Sequence, residues 1–273
     1  MYRYDSEKES AMSAKTILIT GATDGLGRGV AEALASRGHT LLLHGRSQQR
    51  LDAVAATLDT TVRTYRADLA SLKAVRGLTE ELRRAEDRID VLIANAGIGD
   101  SGARHESAEG HELHFAVNYL SHFLLITQLL DRLRASAPAR IVLVSSLGQA
   151  PVDFDDVMLE HGYQGTRAYC QSKLAQIAFG FRLAGQLDPD EVTVTSLHPA
   201  TLMPTKMVLS GGGRPLDSLE RGVAATTRLA VDPALEGITG VFYDREHHAS
   251  PHPWAADPEV QERLWQLSEH LTA

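Results

Sequence analysis

The chain has a single cysteine, Cys170, in 273 residues. No intrachain disulfide is possible, which fits a reducing compartment. Basic residues are also scarce: 27 Lys and Arg against 35 Asp and Glu give a net charge of −8. That balance provides no basic face for a phosphate backbone and argues against a nucleic-acid partner. No apolar run approaches the roughly 20 residues that span a bilayer. The opening MYRYDSEKESAMSAK is polar and has no apolar segment of the kind a secretory signal needs. Residues 1–14 therefore read as a flexible leader, and a cytoplasmic protein without a membrane partner is expected. Core material is not lacking. Hydrophobic residues make up 43% of the chain, enough for one domain over residues 15–273.

Short apolar runs alternate with longer amphipathic stretches. The runs fall at 16–20 (TILIT), 40–44 (TLLLH), 62–66, 91–95 (VLIAN), 141–145 (IVLVS), 192–197 and 241–243. Helical periodicity occupies 25–37, 48–58, 71–87, 112–135, 166–187 and 216–230. Near-continuous apolar strands suit a parallel sheet covered on both faces. The alternation predicts an α/β Rossmann fold, with a doubly wound, mostly parallel, seven-stranded sheet and helices on both sides.

The first strand leads into Thr20-Gly21-Ala22-Thr23-Asp24-Gly25-Leu26-Gly27, and a helix follows. Gly21 allows a tight turn, Gly25 holds no side chain between backbone and pyrophosphate, and Gly27 lets the helix pack close. The helix N-terminus then offers free N–H groups and a positive dipole end to phosphates. An NAD site usually adds an acid about 20 residues on, at the end of the second strand. Here that end reads His44-Gly45-Arg46-Ser47. With no acid, and with Arg46 able to fork onto a 2′-phosphate, NADP(H) is the expected cofactor. Asp24 opposes this mildly, because a carboxylate would repel that phosphate.

Six features together resemble the short-chain dehydrogenase/reductase family over roughly residues 15–245. They are Thr20–Gly27, Asp68-Leu69, Asn95-Ala96-Gly97, Asn118 in FAVNYLSHF, Ser146 in VLVSSLG, and Tyr169-Cys170-Gln171-Ser172-Lys173. The resemblance implies that Tyr169 is the general acid for carbonyl reduction and the base for alcohol oxidation. Lys173 shares its helix face at i+4. With a cationic nicotinamide, its ammonium would lower a phenol pKa that is ordinarily about 10. The resemblance further implies that Lys173 bonds the nicotinamide ribose and that Ser146, rather than Ser145, binds the substrate oxygen. Asn118 would hold a relay water, Asn95–Gly97 would flank the cofactor, and Asp68 would contact adenine. Tyr169 and Lys173 would thus touch cofactor as well as substrate, along with Leu26, Ser47 and Leu69.

Two departures stand out. After the sixth strand the family's Pro-Gly is Pro199-Ala200 here, followed by Thr201 and Thr205 as candidate hydroxyl contacts, Thr201 being favoured. The gap from Ser146 to Tyr169 is long. It looks like the branch that includes retinol-dehydrogenase-like enzymes and protochlorophyllide reductase. The family often builds dimers through the helices at 112–135 and 166–187, so a homodimer or homotetramer is expected.

Other features read as structural. Cys170 is assigned to packing, and His247, His248 and His252, without an accompanying acid or cysteine pattern, to a polar loop and not to a metal. The loop 201–215 joins apolar Met207, Val208 and Leu209 to Gly211-Gly212-Gly213. It suits a lid over an apolar carbonyl or alcohol substrate. A non-catalytic NADP(H)-binding sensor on the same fold is the alternative reading.

Overall fold

The apolar runs become strands for the expected reason: their side chains are buried on both sides. β1 (Thr16–Ile19), β4 (Val91–Ala94) and β6 (Val192–His198) are almost wholly inside. They are joined by β2 (Thr40–Gly45), β3 (Val62–Arg66), β5 (Ala139–Val144), β7 (Val241–Asp244) and β8 (His247–Ala249). The computed structural model describes residues 14–99, 102–210 and 212–273. Residues 1–13 of the expected leader lie outside these, as does Gly211 of the glycine triplet.

The sheet has eight strands, not the expected seven, in the order β3-β2-β1-β4-β5-β6-β7-β8. Its first seven strands run parallel. The eighth returns antiparallel from a two-residue turn. That turn carries no glycine or asparagine signal. Arg245 takes the left-handed conformation there, with φ 57°, at a cost of about 1–3 kcal/mol. Ion pairs to Asp217 and to Asp244 at 2.7 Å hold it in place.

Helices cover both faces. α1 (Gly25–Ala35), α2 (Gln48–Ala55) and α7 (Leu219–Val231) pack with Ile17, Ile19 and Leu43 on one side. α3 (Leu72–Ala85), α4 (Ser121–Ala135) and α5 (Gly165–Ala184) pack with Leu18, Leu92 and Ile141 on the other. Each fully buried Leu or Ile adds about 1.5–3 kcal/mol. β1 and β4 are neighbours whose connections leave in opposite directions, so a crevice opens beyond their carboxyl ends. A short helix, α6 (Lys206–Ser210), lies within the loop expected to be a lid.

Like β8 and α6, the next two elements were not anticipated. The predicted 112–135 helix begins instead with a π-helical turn, Phe115–Leu120. A C-terminal helix, α8 (Pro258–Leu271), starts at an Asp257 cap. Trp265 of α8 stacks on Phe179 of α5 and meets Phe123 of α4 edge-on. Ser268 bonds the Tyr119 hydroxyl at 2.6 Å, and Glu262 pairs with Arg182 at 2.7 Å. Part of the α4–α5 surface expected to meet a second subunit is thus taken by this chain's own helix. No helix among the described residues is long and apolar enough to cross a membrane.

Candidate active site

The carboxyl ends of β1, β4, β5 and β6 deliver the candidate residues to one crevice. After β1, Thr20 and Gly21 turn the chain into α1. A methyl group at Gly27 would stand 2.3 Å from the Gly21 carbonyl oxygen, so helix and turn can pack this closely only through glycine. Gly25 has φ 49°, which favours glycine at the helix start. Leu26 is buried beneath it. Asp24 caps α1 through the Gly25 N–H and pairs with Arg50 at 2.9 Å. That guanidinium bond, outweighing slight burial, holds the Asp24 carboxyl below its ordinary range.

Arg46 is exposed just past β2, and Ser47 caps α2 through the Arg50 N–H at 3.4 Å. The methyl of Thr23 lies against Gly45. Asp68 is exposed after β3, whereas the Leu69 side chain points into the core. A glycine turn at a helix N-terminus, with Arg50 on its Asp24 cap and Arg46 exposed just past β2, is a donor set that fits the phosphates of a dinucleotide.

The residues expected to transfer protons meet at the ends of β4 and β5. Tyr169 and Lys173 share one side of α5, with the Lys173 Nζ 6.0 Å from the Tyr169 ring centre. Lys173 is buried and donates to the Val144 carbonyl at 2.8 Å. Burial pulls its ammonium from 10.5 down to about 8. The chain alone does not lower Tyr169: burial raises its phenol, and the Ser146 hydroxyl pulls less strongly the other way. The two serines are sorted by their bonds. Ser145 donates to the Lys173 carbonyl at 2.7 Å, while Ser146 accepts from the Gly148 N–H at 3.0 Å beside Tyr169.

Asn118 is fully buried and clamps the segment after β4. Its carbonyl oxygen accepts from the Ile98 N–H at 2.8 Å, and its amide donates to the Ile98 carbonyl and to Ser172 Oγ at 3.1 and 3.0 Å. Ser172 in turn donates to the Tyr169 carbonyl at 2.7 Å. Asn118 Oδ1 and Lys173 Nζ both flank Gly97. Asn95 donates to the Thr20 carbonyl at 2.8 Å, and the Ala96 N–H donates to the Thr20 hydroxyl at 2.9 Å.

Beyond β6, Pro199 and Ala200 are buried. The Thr201 hydroxyl is engaged by Arg245 Nη2 and His198 Nε2, each at 3.0 Å. Thr205 instead lies against Gly25, and Met207 against Gly99, so the start of α6 bridges the two walls of the crevice. Leu147, Leu202, Met207 and Leu209 remain 42–56% exposed around it.

Cys170 is half-buried near Gly148, and burial raises its thiol. Among the described residues no three side chains are arranged to hold a metal ion.

Sequence reasoning passed over several polar residues here. Glu112 and His114 are buried and bonded at 2.8 Å, and His114 Nε2 donates to the Gly99 carbonyl at 2.5 Å. His44 and His122 are buried on either side of the Thr20–Gly21 turn. Arg50 was also missed. For His122 a signal existed: a polar residue four positions after Asn118, on a helix otherwise rich in apolar residues.

The sequence pattern of the family described as short chain dehydrogenase matches residues 15–211. Mouse (Mus musculus) retinol dehydrogenase 13 is 37% identical over 96% of this chain and 85% of its own length. A solved structure of an uncharacterized protein from Mycobacterium paratuberculosis superposes with a TM-score of 0.79 at 28% identity, covering 94% of this chain and 93% of the other. The Pseudomonas aeruginosa RhlG/NADP active-site complex superposes with a TM-score of 0.67 at 26% identity, over 86% and 96% of the two chains.

Proposed function

The chain belongs to the short-chain dehydrogenase family of oxidoreductases, and from that premise we propose that it moves a hydride between NADP(H) and the carbonyl or alcohol carbon of an apolar small molecule. The observation that carries this reading is the cluster at the ends of β4 and β5, beside a glycine turn fit for pyrophosphate: Asn118 bonds through Ser172 to the Tyr169 carbonyl, Ser146 bonds the Tyr169 phenol, and Lys173 Nζ stands 6.0 Å from the Tyr169 ring centre.

The nicotinamide, when bound, supplies or accepts the hydride. The chain's residues do the rest. Ser146 holds the substrate oxygen where negative charge grows. The Tyr169 phenol delivers the proton in reduction and its phenolate takes one in oxidation. Lys173 holds a cationic ammonium near the Tyr169 ring and has further N–H donors beyond its bond to Val144 for a ribose hydroxyl. Asn118 fixes the backbone that lines the cofactor's edge.

Arg46 and Arg50 support the 2′-phosphate. Asp24, which opposed NADP(H) on sequence grounds, is already neutralised by Arg50. The RhlG complex contains NADP, which agrees with a nicotinamide cofactor. With the Thr201 hydroxyl bonded to Arg245 and His198, Thr205 becomes the better candidate for a cofactor contact. The apolar rim, together with the retinol named in the mouse relative, favours a long apolar alcohol or aldehyde, with α6 as its cover. Assembly as a cytoplasmic homo-oligomer belongs to the same reading, through surfaces that α8 leaves open. Light scattering and cell fractionation test it.

The deciding experiment is NADPH oxidation against a panel of ketones and aldehydes that includes retinal. Consumption by the wild type and its loss in Tyr169→Phe support the reading. Equal rates in both would overturn it.

A further inference from the structure

His122 is buried to 0% exposure in α4, one turn past Asn118, and has no part in the proton transfer proposed for Tyr169. Its Nδ1 lies 3.1 Å from the Asn118 main-chain carbonyl and its Nε2 lies 3.0 Å from the Thr20 hydroxyl. The widened π turn explains the first contact. The Ser121 N–H reaches back five residues to Ala116. Donors one turn ahead then come from side chains: the Ser121 hydroxyl serves Val117 at 2.8 Å, and the His122 ring serves Asn118.

Bond accounting fixes the tautomer. A carbonyl only accepts, so His122 Nδ1 must carry the hydrogen. The Thr20 oxygen already accepts from the Asn95 and Ala96 N–H groups, both at 2.9 Å. Both its lone pairs are thereby used, and its hydrogen is left to donate. The better-placed acceptor is His122 Nε2 at 3.0 Å, against the Ile93 carbonyl at 3.4 Å. Burial, reinforced by the nearby Lys173 charge, pulls the ring pKa down to about 3. Near neutral pH the ring is therefore singly protonated, with one nitrogen left to accept.

We propose that His122 is a positioning residue with two ends. Its Nε2 receives the first residue of the dinucleotide turn, and its Nδ1–H holds the main chain of Asn118, so that cofactor loop and proton-transfer frame share one register. Thr20 ties the turn to Asn95 and Ala96, and Asn118 ties Ile98 to Ser172. His122 is a side-chain link between these two halves, in addition to the main chain of residues 95–98. The inference rests on the oxidoreductase reading for its kinetic consequences but not for its geometry.

The test separates the two ends. An asparagine amide can take the place of Nδ1 but cannot reach Thr20. We therefore expect His122→Leu to lose about ten-fold in kcat, and also to bind NADPH several-fold more weakly. His122→Asn should recover kcat to within about two-fold while NADPH binding stays weak. Nitrogen-15 spectra of the wild-type histidines, with the His122 signal assigned by its loss in His122→Asn, should show a protonated Nδ1 and a bare Nε2. An Nε2–H tautomer overturns the proposal, and so does unchanged kcat and NADPH affinity in His122→Leu. Equal impairment of kcat in both variants, or recovery of both quantities in His122→Asn, also overturns it. If His122→Leu fails to fold, the asparagine variant and the spectra still decide. If no carbonyl in the panel is reduced, the function reading fails separately, while the spectra and NADPH titration still test His122.

Discussion

The two ends of the crevice are built in opposite ways. At the proton-transfer end, Asn118, Ser146 and Lys173 are buried, and each is bonded to neighbouring backbone or side chains. At the end proposed to hold the adenosine, Asp24, Arg46, Arg50 and Asp68 are exposed, and Asp24 and Arg50 find each other across half-exposed side chains. The first end can set geometry closely, because moving one member disturbs several bonds in a low-dielectric interior. The second can only bias which cofactor stays, through charges that water and salt screen. On the proposed reading, chemistry and selectivity are held by different physics, and substitutions at the two ends should behave differently.

The largest contrast is expected at Tyr169. Replacing it with phenylalanine keeps the ring and removes the proposed proton donor. Turnover should fall about 100-fold or more, with NADPH affinity little changed. A comparable loss of affinity would mean that the two ends are not separable.

Next comes Lys173, whose burial leaves a signature in stability. Its ammonium is at about 8 in the fold against an ordinary 10.5. Below about pH 8 both folded and unfolded chains hold that proton, and the buried charge disfavours the fold in full. Between about 8 and 10.5 the unfolded chain binds the extra proton, so this group makes stability rise with pH. Lys173→Met lacks that rise. Its stability relative to the wild type should be highest at pH 7 and decline by about 3 kcal/mol towards pH 10.5. Urea unfolding of the cofactor-free protein at several pH values measures this. A gap that stays constant with pH would show that Lys173 is not desolvated as described.

At the open end, Arg46→Ala and Arg50→Ala should each weaken NADPH binding by about ten-fold at low salt and leave NADH nearly unaffected. Raising the salt should shrink the difference. Salt-independent losses would place these arginines in a less exposed site. Smallest of all should be Asp24→Ser, which keeps a helix cap but breaks the ion pair. The stability change should stay within about 1 kcal/mol, while NADPH titration shows a modest gain as Arg50 is freed. A loss of NADPH affinity would mean that Asp24 orients Arg50 and does not compete for it.

The same contrast governs what could be read from the sequence. Strands such as Ile17–Ile19 and Ile141–Val144 announce themselves because burial on both faces demands unbroken apolar runs. The glycine turn was legible because close packing leaves room for nothing else. β8 was not, since His247 and His248 are not among the residues enriched in strands, and Arg245 is held in a glycine's conformation by distant Asp217 as well as by Asp244. α8 escaped as well, because its meaning lies in covering α4 and α5. The occupied hydroxyl of Thr201 and the link through His122 depend on contacts 44 and 102 residues apart in the chain. No local pattern carries such distances.

The loop over the crevice has a closed neck. Thr201 and Asp217 exchange bonds, with the Asp217 N–H on the Thr201 carbonyl at 3.0 Å and the Thr201 N–H on the Asp217 carboxylate at 2.7 Å, and the Leu216 N–H meets the Leu202 carbonyl at 3.1 Å. Arg245, from the far edge of the sheet, clasps both sides through Asp217 and Thr201. The excursion between them therefore begins and ends at one fixed point on the scaffold. Doubling its length would add only about 0.6 kcal/mol of closure entropy and would leave the strand ends where they are. The loop is thus anchored as a module: on the proposed reading, insertions and deletions within it would change what the crevice accepts and leave the scaffold of strands beneath it in place.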